Sequence, residues 1–135
     1  MDLLINIDVP DIEAAVAFYR DAFGLSPGRR LSPHAVELIG WPARLYLLEN
    51  PAGSIGAAAD RRRYERHWTP VHLDVVVDDV ERALARAVAA GATAETAIHD
   101  EPFGRTATLA DPFGHGFCLI ELRGRGYDEL AAPDG

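Results

Sequence analysis

His72-Leu73-Asp74 sets an imidazole and a carboxylate two residues apart, the spacing that puts both on one face of a strand. A carboxylate beside a histidine raises the ring's pKa and makes an acid/base pair for proton transfer. Asn6 and Asp8 repeat that spacing near the start of the chain. Cys118 is the single cysteine. Its neighbours Phe117, Leu119 and Ile120 are apolar, and no Lys or Arg is close in sequence to lower its pKa. The expected role is core residue or pocket wall rather than nucleophile. Trp41, Tyr46, Trp68 and Phe103 fall near strand ends or in the central connection. Such side chains give a pocket flat apolar walls. Arg105, at the start of a strand, either meets an anionic ligand or stands at a rim. The run Arg61-Arg62-Arg63 is either an anion site or a solvated stretch of chain. His34, His67, His99 and His115 lie in loops or at strand edges, and no role is expected of them.

The elements that would position these groups come in two copies. "INIDVPDIEAAVAFYRDAFGL" from Ile5 and "LDVVVDDVERALARAVAAGAT" from Leu73 match at an offset of 68 residues. "RLYLLEN" from Arg44 and "GFCLIEL" from Gly116 match at an offset of 72. Each half therefore reads strand, helix, then two or three strands. Asp11 caps the first helix, Glu13 favours its dipole, and Gly24 ends it. Pro10 precedes it at no hydrogen-bond cost. Ile12, Val16, Tyr19 and Phe23 step by four, three and four, one helix face. Asp79 and Gly91 bound the second helix, whose expected buried stripe is Val80, Leu84 and Val88. Strands are expected at 35–39, 45–48, 106–110 and 117–122, with Pro and Gly in the turns. Residues 51–70 read as a linker. The tail, 124–135, either frays or clips through Tyr127 and Leu130 onto the domain or a neighbouring subunit.

The chain has 135 residues, enough for one domain with a proper core. Hydrophobic residues make up 48% and the formal net charge is −8. That balance disfavours nucleic acid and anionic membranes as partners, since both attract basic faces. A single cysteine rules out an intramolecular disulfide. No apolar run approaches the ~20 residues of a membrane span. The start, "MDLLINIDVPD", has no basic n-region and no cleavable apolar h-region, so no secretory signal is expected. A cytoplasmic protein is expected.

Two βαβββ copies, with "HLDVVVDDVERALARAVAAGA" opening the second and "LADPFGHGFCLIEL" closing it, resemble the vicinal oxygen chelate superfamily. That group includes glyoxalase I, extradiol dioxygenases, and the fosfomycin and bleomycin resistance proteins. "DIEAAVAFYRDAFGL" is similar to its first helix and Asp111-Pro112-Phe113-Gly114 to its last turn. The resemblance implies an α+β fold of two tandem βαβββ modules, about 3–50 and 71–123. The modules form a cupped mixed sheet, helices outside, in a single domain over 1–123. In the superfamily's enzymes, four strand residues aim into the cup and hold a divalent metal that binds substrate oxygens. Carried onto this chain, those positions are Leu4, Tyr46, His72 and Cys118, too few ligands for a tight site. No metal and no other cofactor is expected. Glu49 and Glu121 lie three residues beyond and should face the other side.

The expected cup carries Asn6, Asp8, Tyr46, His72, Asp74 and Cys118, with Trp41, Phe103 and Arg105 as further ligand contacts. The first reading is a metal-free binder of a small organic molecule, acting as a homodimer. The second is a metal-independent isomerase, lyase or cyclase with His72 and Asp74 as the catalytic acid and base. A metal-dependent glyoxalase-type lyase or dioxygenase is opposed by the ligand count.

Overall fold

The computed structural model describes residues 1–131. Two compact units make up the chain, Met1–Glu65 and the part from Arg66 onward. The first contains β1 (Leu4–Val9), α1 (Ile12–Phe23), β2 (Ser26–Ser32), β3 (Ala35–Ile39), β4 (Arg44–Glu49), β5 (Ile55–Ala57) and β6 (Asp60–Arg61). The second contains β7 (Leu73–Val76), α2 (Val80–Ala90), β8 (Thr93–Ala94), β9 (His99–Glu101), β10 (Gly104–Ala110) and β11 (Gly116–Leu122), then a 3-10 turn at Gly126–Glu129. Among the described residues no helix is long and apolar enough to cross a membrane.

The first unit's main sheet has the order β1-β4-β3-β2. β1 runs parallel to β4, and the other pairs are antiparallel. The second unit repeats this with β7-β11-β10-β8, and β9 pairs with the start of β10. Again the first strand, β7, is parallel to the last, β11. This is the fold the repeat implies, with each helix crossing from the first strand of its unit toward the sheet.

Both helices begin as the sequence indicates. The Asp11 carboxylate accepts from the Ala14 N–H at 3.0 Å, and that of Asp79 from the Arg82 N–H at 3.1 Å. A second carboxylate reaches each helix start from the closing strand. Glu49 accepts from the Ile12 N–H at 2.8 Å and Glu121 from the Val80 N–H at 3.0 Å. These bonds satisfy amides that a helix leaves unpaired and place negative charge at the positive end of its dipole. Glu49 and Glu121 therefore face the helices, as the odd offset requires.

In the first unit, α1 buries Ile12, Ala15, Phe18, Tyr19 and Ala22 against a sheet face carrying Val36, Leu38, Leu45 and Leu47. Val16 and Phe23, expected in that stripe, are only partly covered. In the second unit, Val80 and Ala87 are fully buried with Ala107, Leu109 and Leu119, and Val88 is 45% exposed. The stripe of α2 thus advances by seven from Val80 to Ala87, one position short of the expected Val88. Ala87 has the small side chain that lets the helix lie close to the sheet.

The third strand that a βαβββ module calls for, without an expected position in either half, is β2 in the first unit and is split into the short β8 and β9 in the second. The hairpin inside the expected linker was not expected. The hairpin β5–β6 is strapped to its unit: Arg62 Nε lies 2.7 Å from the Asp8 carboxylate, and the Tyr64 hydroxyl donates to the Asn50 carbonyl at 2.7 Å. Arg62 thus belongs neither to an anion site nor to a solvated stretch. At Gly104, φ is +150°, and a β-carbon would collide with the Glu121 carbonyl oxygen, so β10 can start here only with glycine. The described part of the tail docks through Tyr127, whereas Leu130 stays 55% exposed. The Tyr127 ring lies 5.0 Å from that of Phe103, and the Arg123 N–H donates to the Phe103 carbonyl at 2.9 Å. Positions 132–135 of that tail lie outside the described residues.

Candidate functional site

In the second unit, the sheet face turned away from α2 gathers the groups with chemistry. Cys118 pairs with Asp74 across β11 and β7, and with Thr108 across β11 and β10. His72, two residues before Asp74, shares that face. Its Nε2 lies 3.2 Å from Asp74 Oδ1, and both side chains are partly open to solvent. One donor atom each from His72, Asp74 and Cys118 falls within a mutual distance of 4.8 Å. The Cys118 sulfur lies 3.4 Å from Thr108 Oγ1. Burial pushes the Cys118 thiol above its ordinary pKa; the Thr108 hydrogen bond opposes this, and the Asp74 charge adds to it. Raised from an already alkaline value, the thiol stays protonated near neutrality. Trp68 packs its ring 5.1 Å from that of His72 and is 61% exposed.

The matching face of the first unit is built differently. Glu37, on β3, is 1% exposed. Its carboxylate accepts from Arg29 Nη2 at 2.8 Å, from Arg44 Nη1 at 3.3 Å and from the Tyr46 hydroxyl at 2.9 Å. The Arg29 side chain, then its backbone N–H, then Tyr46, hold the Glu37 carboxyl down to about 2. Gly28 makes room for this, since a β-carbon there would sit 2.6 Å from the Glu37 carboxylate. Tyr46 is thus 8% exposed and committed to an internal hydrogen bond. An open concavity of about 600 Å³ lies beside it, lined by residues that include Leu4, Arg44 and Tyr46.

The other expected ligand contacts disperse. Asn6 stays exposed on β1. Asp8 is engaged by Arg62 and by the Asn50 amide at 3.0 Å. Trp41 turns to the helix side of its sheet, edge-on to Phe23 at 5.2 Å and Tyr19 at 6.4 Å, so it does not line the face that carries Asn6 and Tyr46. Arg105 lies on the α2 side of its sheet, opposite Cys118, and pairs with Glu81 at 2.9 Å and Asp100 at 3.4 Å. Phe103 is occupied by the tail. Two groups of importance carried no sequence signal of their own. Glu37 and Thr108 are unremarkable strand residues until the register sets each beside a closing-strand residue. Trp68, one of the aromatic residues expected near a pocket, packs on His72 from within the expected linker. The i, i+2 spacing from Glu37 to Ile39 shows only which face Glu37 shares.

The resemblance implies a metal at Leu4, Tyr46, His72 and Cys118, and the donor set does not fit it. Leu4 has no donor atom. The Tyr46 hydroxyl is buried and donates to Glu37, which commits it inside the first unit. The first unit therefore offers no ligand from these two positions.

A βαβββ repeat with this pairing defines a glyoxalase-like protein. Residues 4–120 match the family model of the glyoxalase-like domain, and the chain belongs to that family. It is 32% identical over 136 residues to protein Mb0911c of Mycobacterium bovis, covering 94% of this chain and 88% of that one. It is 29% identical over 119 residues to the anthracycline biosynthesis protein DauV of Streptomyces sp. strain C5, covering 88% of this chain. The chain spans 40% of the length of DauV. Among solved structures, the genomically encoded fosfomycin resistance protein FosX of Listeria monocytogenes superimposes with a TM-score of 0.73 at 16% identity, covering 96% of each chain.

Proposed function

We propose that this chain binds a small planar organic molecule, without a metal at the superfamily's four positions, on the second unit's open face. The carrying observation is the grouping of His72, Asp74 and Cys118 beside the exposed Trp68. An indole face stacks on flat rings, and the imidazole and carboxylate offer a donor and an acceptor to a carbonyl or hydroxyl at the ring's edge. The likeness to a protein of anthracycline biosynthesis supports a polycyclic carbonyl compound as the ligand class. The protein is proposed to be cytoplasmic and to work as one glyoxalase-like domain in a homodimer of about 29 kDa, twice the chain mass.

The test is titration of metal-depleted protein with an anthracycline, read by quenching of tryptophan fluorescence. Saturable quenching is expected, lost in Trp68→Phe. His72→Ala should weaken binding by about five- to hundredfold, matching the ~1–3 kcal/mol of a lost buried hydrogen-bond partner. Its unfolding free energy should stay within ~0.5 kcal/mol of the parent, as for a surface change. Absence of saturable binding, or full affinity in a folded His72→Ala variant, overturns the reading.

The 3.2 Å approach of His72 to Asp74 favours one alternative, a metal-independent isomerase, lyase or cyclase. In that case the bound carbonyl compound would be converted, and His72→Ala would lower the rate by about 10²–10⁴.

A further inference from the structure

The second unit's open face carries a charge that stacking and hydrogen bonding leave unused. We propose that the molecule bound there is a cation, a planar ring system bearing a protonated amine that pairs with Asp74 beside Trp68. This rests on the function proposed above and narrows its ligand to one charge class.

The placement of the arginines carries the inference. Arg66 lies over this face: its guanidinium fills the space that a β-carbon on Gly116 would need, two residues before Cys118 on the same side of β11. It is spent there. Nε lies 2.7 Å and Nη2 2.8 Å from the two Glu95 carboxylate oxygens, and Nη1 donates to the His67 carbonyl. The buried Asp111 carboxylate also acts on it, so Arg66 answers two negative charges by itself. Arg105, on the opposite side of the sheet, is held by Glu81 and Asp100, and Arg123 by Glu121 at 2.6 Å. Asp74, whose side chain is 41% exposed, has His72 and the protonated Cys118 as its polar neighbours. An imidazole, unlike a guanidinium, is uncharged above its ordinary range near ~6.5. Among the described residues Asp74 is therefore left without a permanent cation.

The potential on this face has the same sign. After burial and the opposing Thr108 hydrogen bond, the charges acting on the Cys118 sulfur are those of Asp74 and Glu95, both negative. The net charge of −8 extends that sign to longer range, where it repels anions and attracts cations. Trp68 adds an indole that is 61% exposed, the aromatic ring on which a cation sits best. The first unit lacks all of this at its matching positions. Asn6 pairs with Tyr46 as Asp74 pairs with Cys118, and it is uncharged. The one carboxylate beside Tyr46, Glu37, is enclosed and neutralised by Arg29 and Arg44.

The experiment titrates the full, metal-depleted chain at low salt with one anthracycline in three forms: with its amine free, N-acetylated to a neutral compound, and N-succinylated to an anion. Tryptophan quenching is the readout. The free amine should bind about three- to thirtyfold more tightly than the acetyl form, the range of an exposed ion pair joined to a cation–π contact. The succinyl form should bind weakest, and added salt should draw the three together. Asp74→Asn, which keeps an acceptor and removes the charge, should bring the free amine to the affinity of the acetyl form. Asp100→Asn makes the same change in net charge on the other side of the sheet and should leave the ranking as it was. Equal binding of the three forms by the parent chain, a preference for the amine that survives Asp74→Asn, or an equal loss in Asp100→Asn would each overturn the proposal. Saturable and equal binding of all three would leave the planar-ligand reading standing alone, and absence of saturable binding in every form would overturn both.

Discussion

Tyr46 and Cys118 hold matching positions on β4 and β11, and their surroundings differ. The Tyr46 hydroxyl points to Glu37, which two arginines neutralise and the fold encloses. Cys118 lies on a face that stays open around His72 and Asp74. Register makes the correspondence complete: Glu37 stands to Tyr46 as Thr108 stands to Cys118, and Asn6 to Tyr46 as Asp74 to Cys118. Two copies of one βαβββ design have thus spent the same positions on different ends. The first closes its polar residues into an ion cluster that holds a sheet together. The second keeps them available to a partner from solution.

The sharpest way to break this comparison is Glu37→Ala. If the cluster is structural, its loss strands the Tyr46 hydroxyl, worth about 1–3 kcal/mol by itself, and leaves Arg29 and Arg44 facing each other unneutralised. The largest drop in unfolding free energy of any variant discussed is expected, measured by urea denaturation. Unchanged stability would mean that the first unit's cluster is as dispensable as the second unit's open face.

Acid titration gives a smaller but more specific effect. Glu37 has a folded pKa of about 2, below its ordinary value near 4.5, so its contribution is fully present above the ordinary value and is lost as pH falls toward 2. Hydrogen bonds from Ile12 and Val80 lower Glu49 and Glu121 in the same direction. Stability should decline between about pH 5 and 2, and Glu37→Gln should flatten that decline. Thermal melts across the range test this. A slope unchanged in Glu37→Gln would move the acid sensitivity elsewhere.

The smallest effect tests where the units agree. Glu49→Gln and Glu121→Gln each keep a hydrogen-bond acceptor at a helix start and remove only its charge. Small and nearly equal losses of stability are expected, shrinking with added salt. A clear inequality would show that the two helices are not held alike.

Much of the fold was legible because it is written twice. The 68- and 72-residue offsets fixed the helices to their caps at Asp11 and Asp79, and both closing strands to within two residues. The face of Glu49 and Glu121 followed from parity alone. The site was legible where it depends on alternation within one strand, as for His72 and Asp74. It was not where it depends on who stands alongside. Glu37 became a buried ion only through Arg29, eight residues earlier on another strand. Trp41 and Arg105 have pocket-like types, but strand parity and helix contacts turned them to the outer side. The exposure of Val88 shows the limit of periodicity in an alanine-rich helix, where a small residue can take the buried place of a larger one.

Arg62 has a consequence for how the chain can be divided. Bonded to Asp8, it makes the segment after β4 a clasp of the first unit rather than a tether between two units. Arg66, four residues on, is pinned to Glu95 at 2.7 Å and serves the second. Ownership of the backbone changes hands within those few positions, and Arg63, exposed between them, is where trypsin would find the seam. A nick there would leave each fragment with its own sheet, its own helix and its own anchoring arginine.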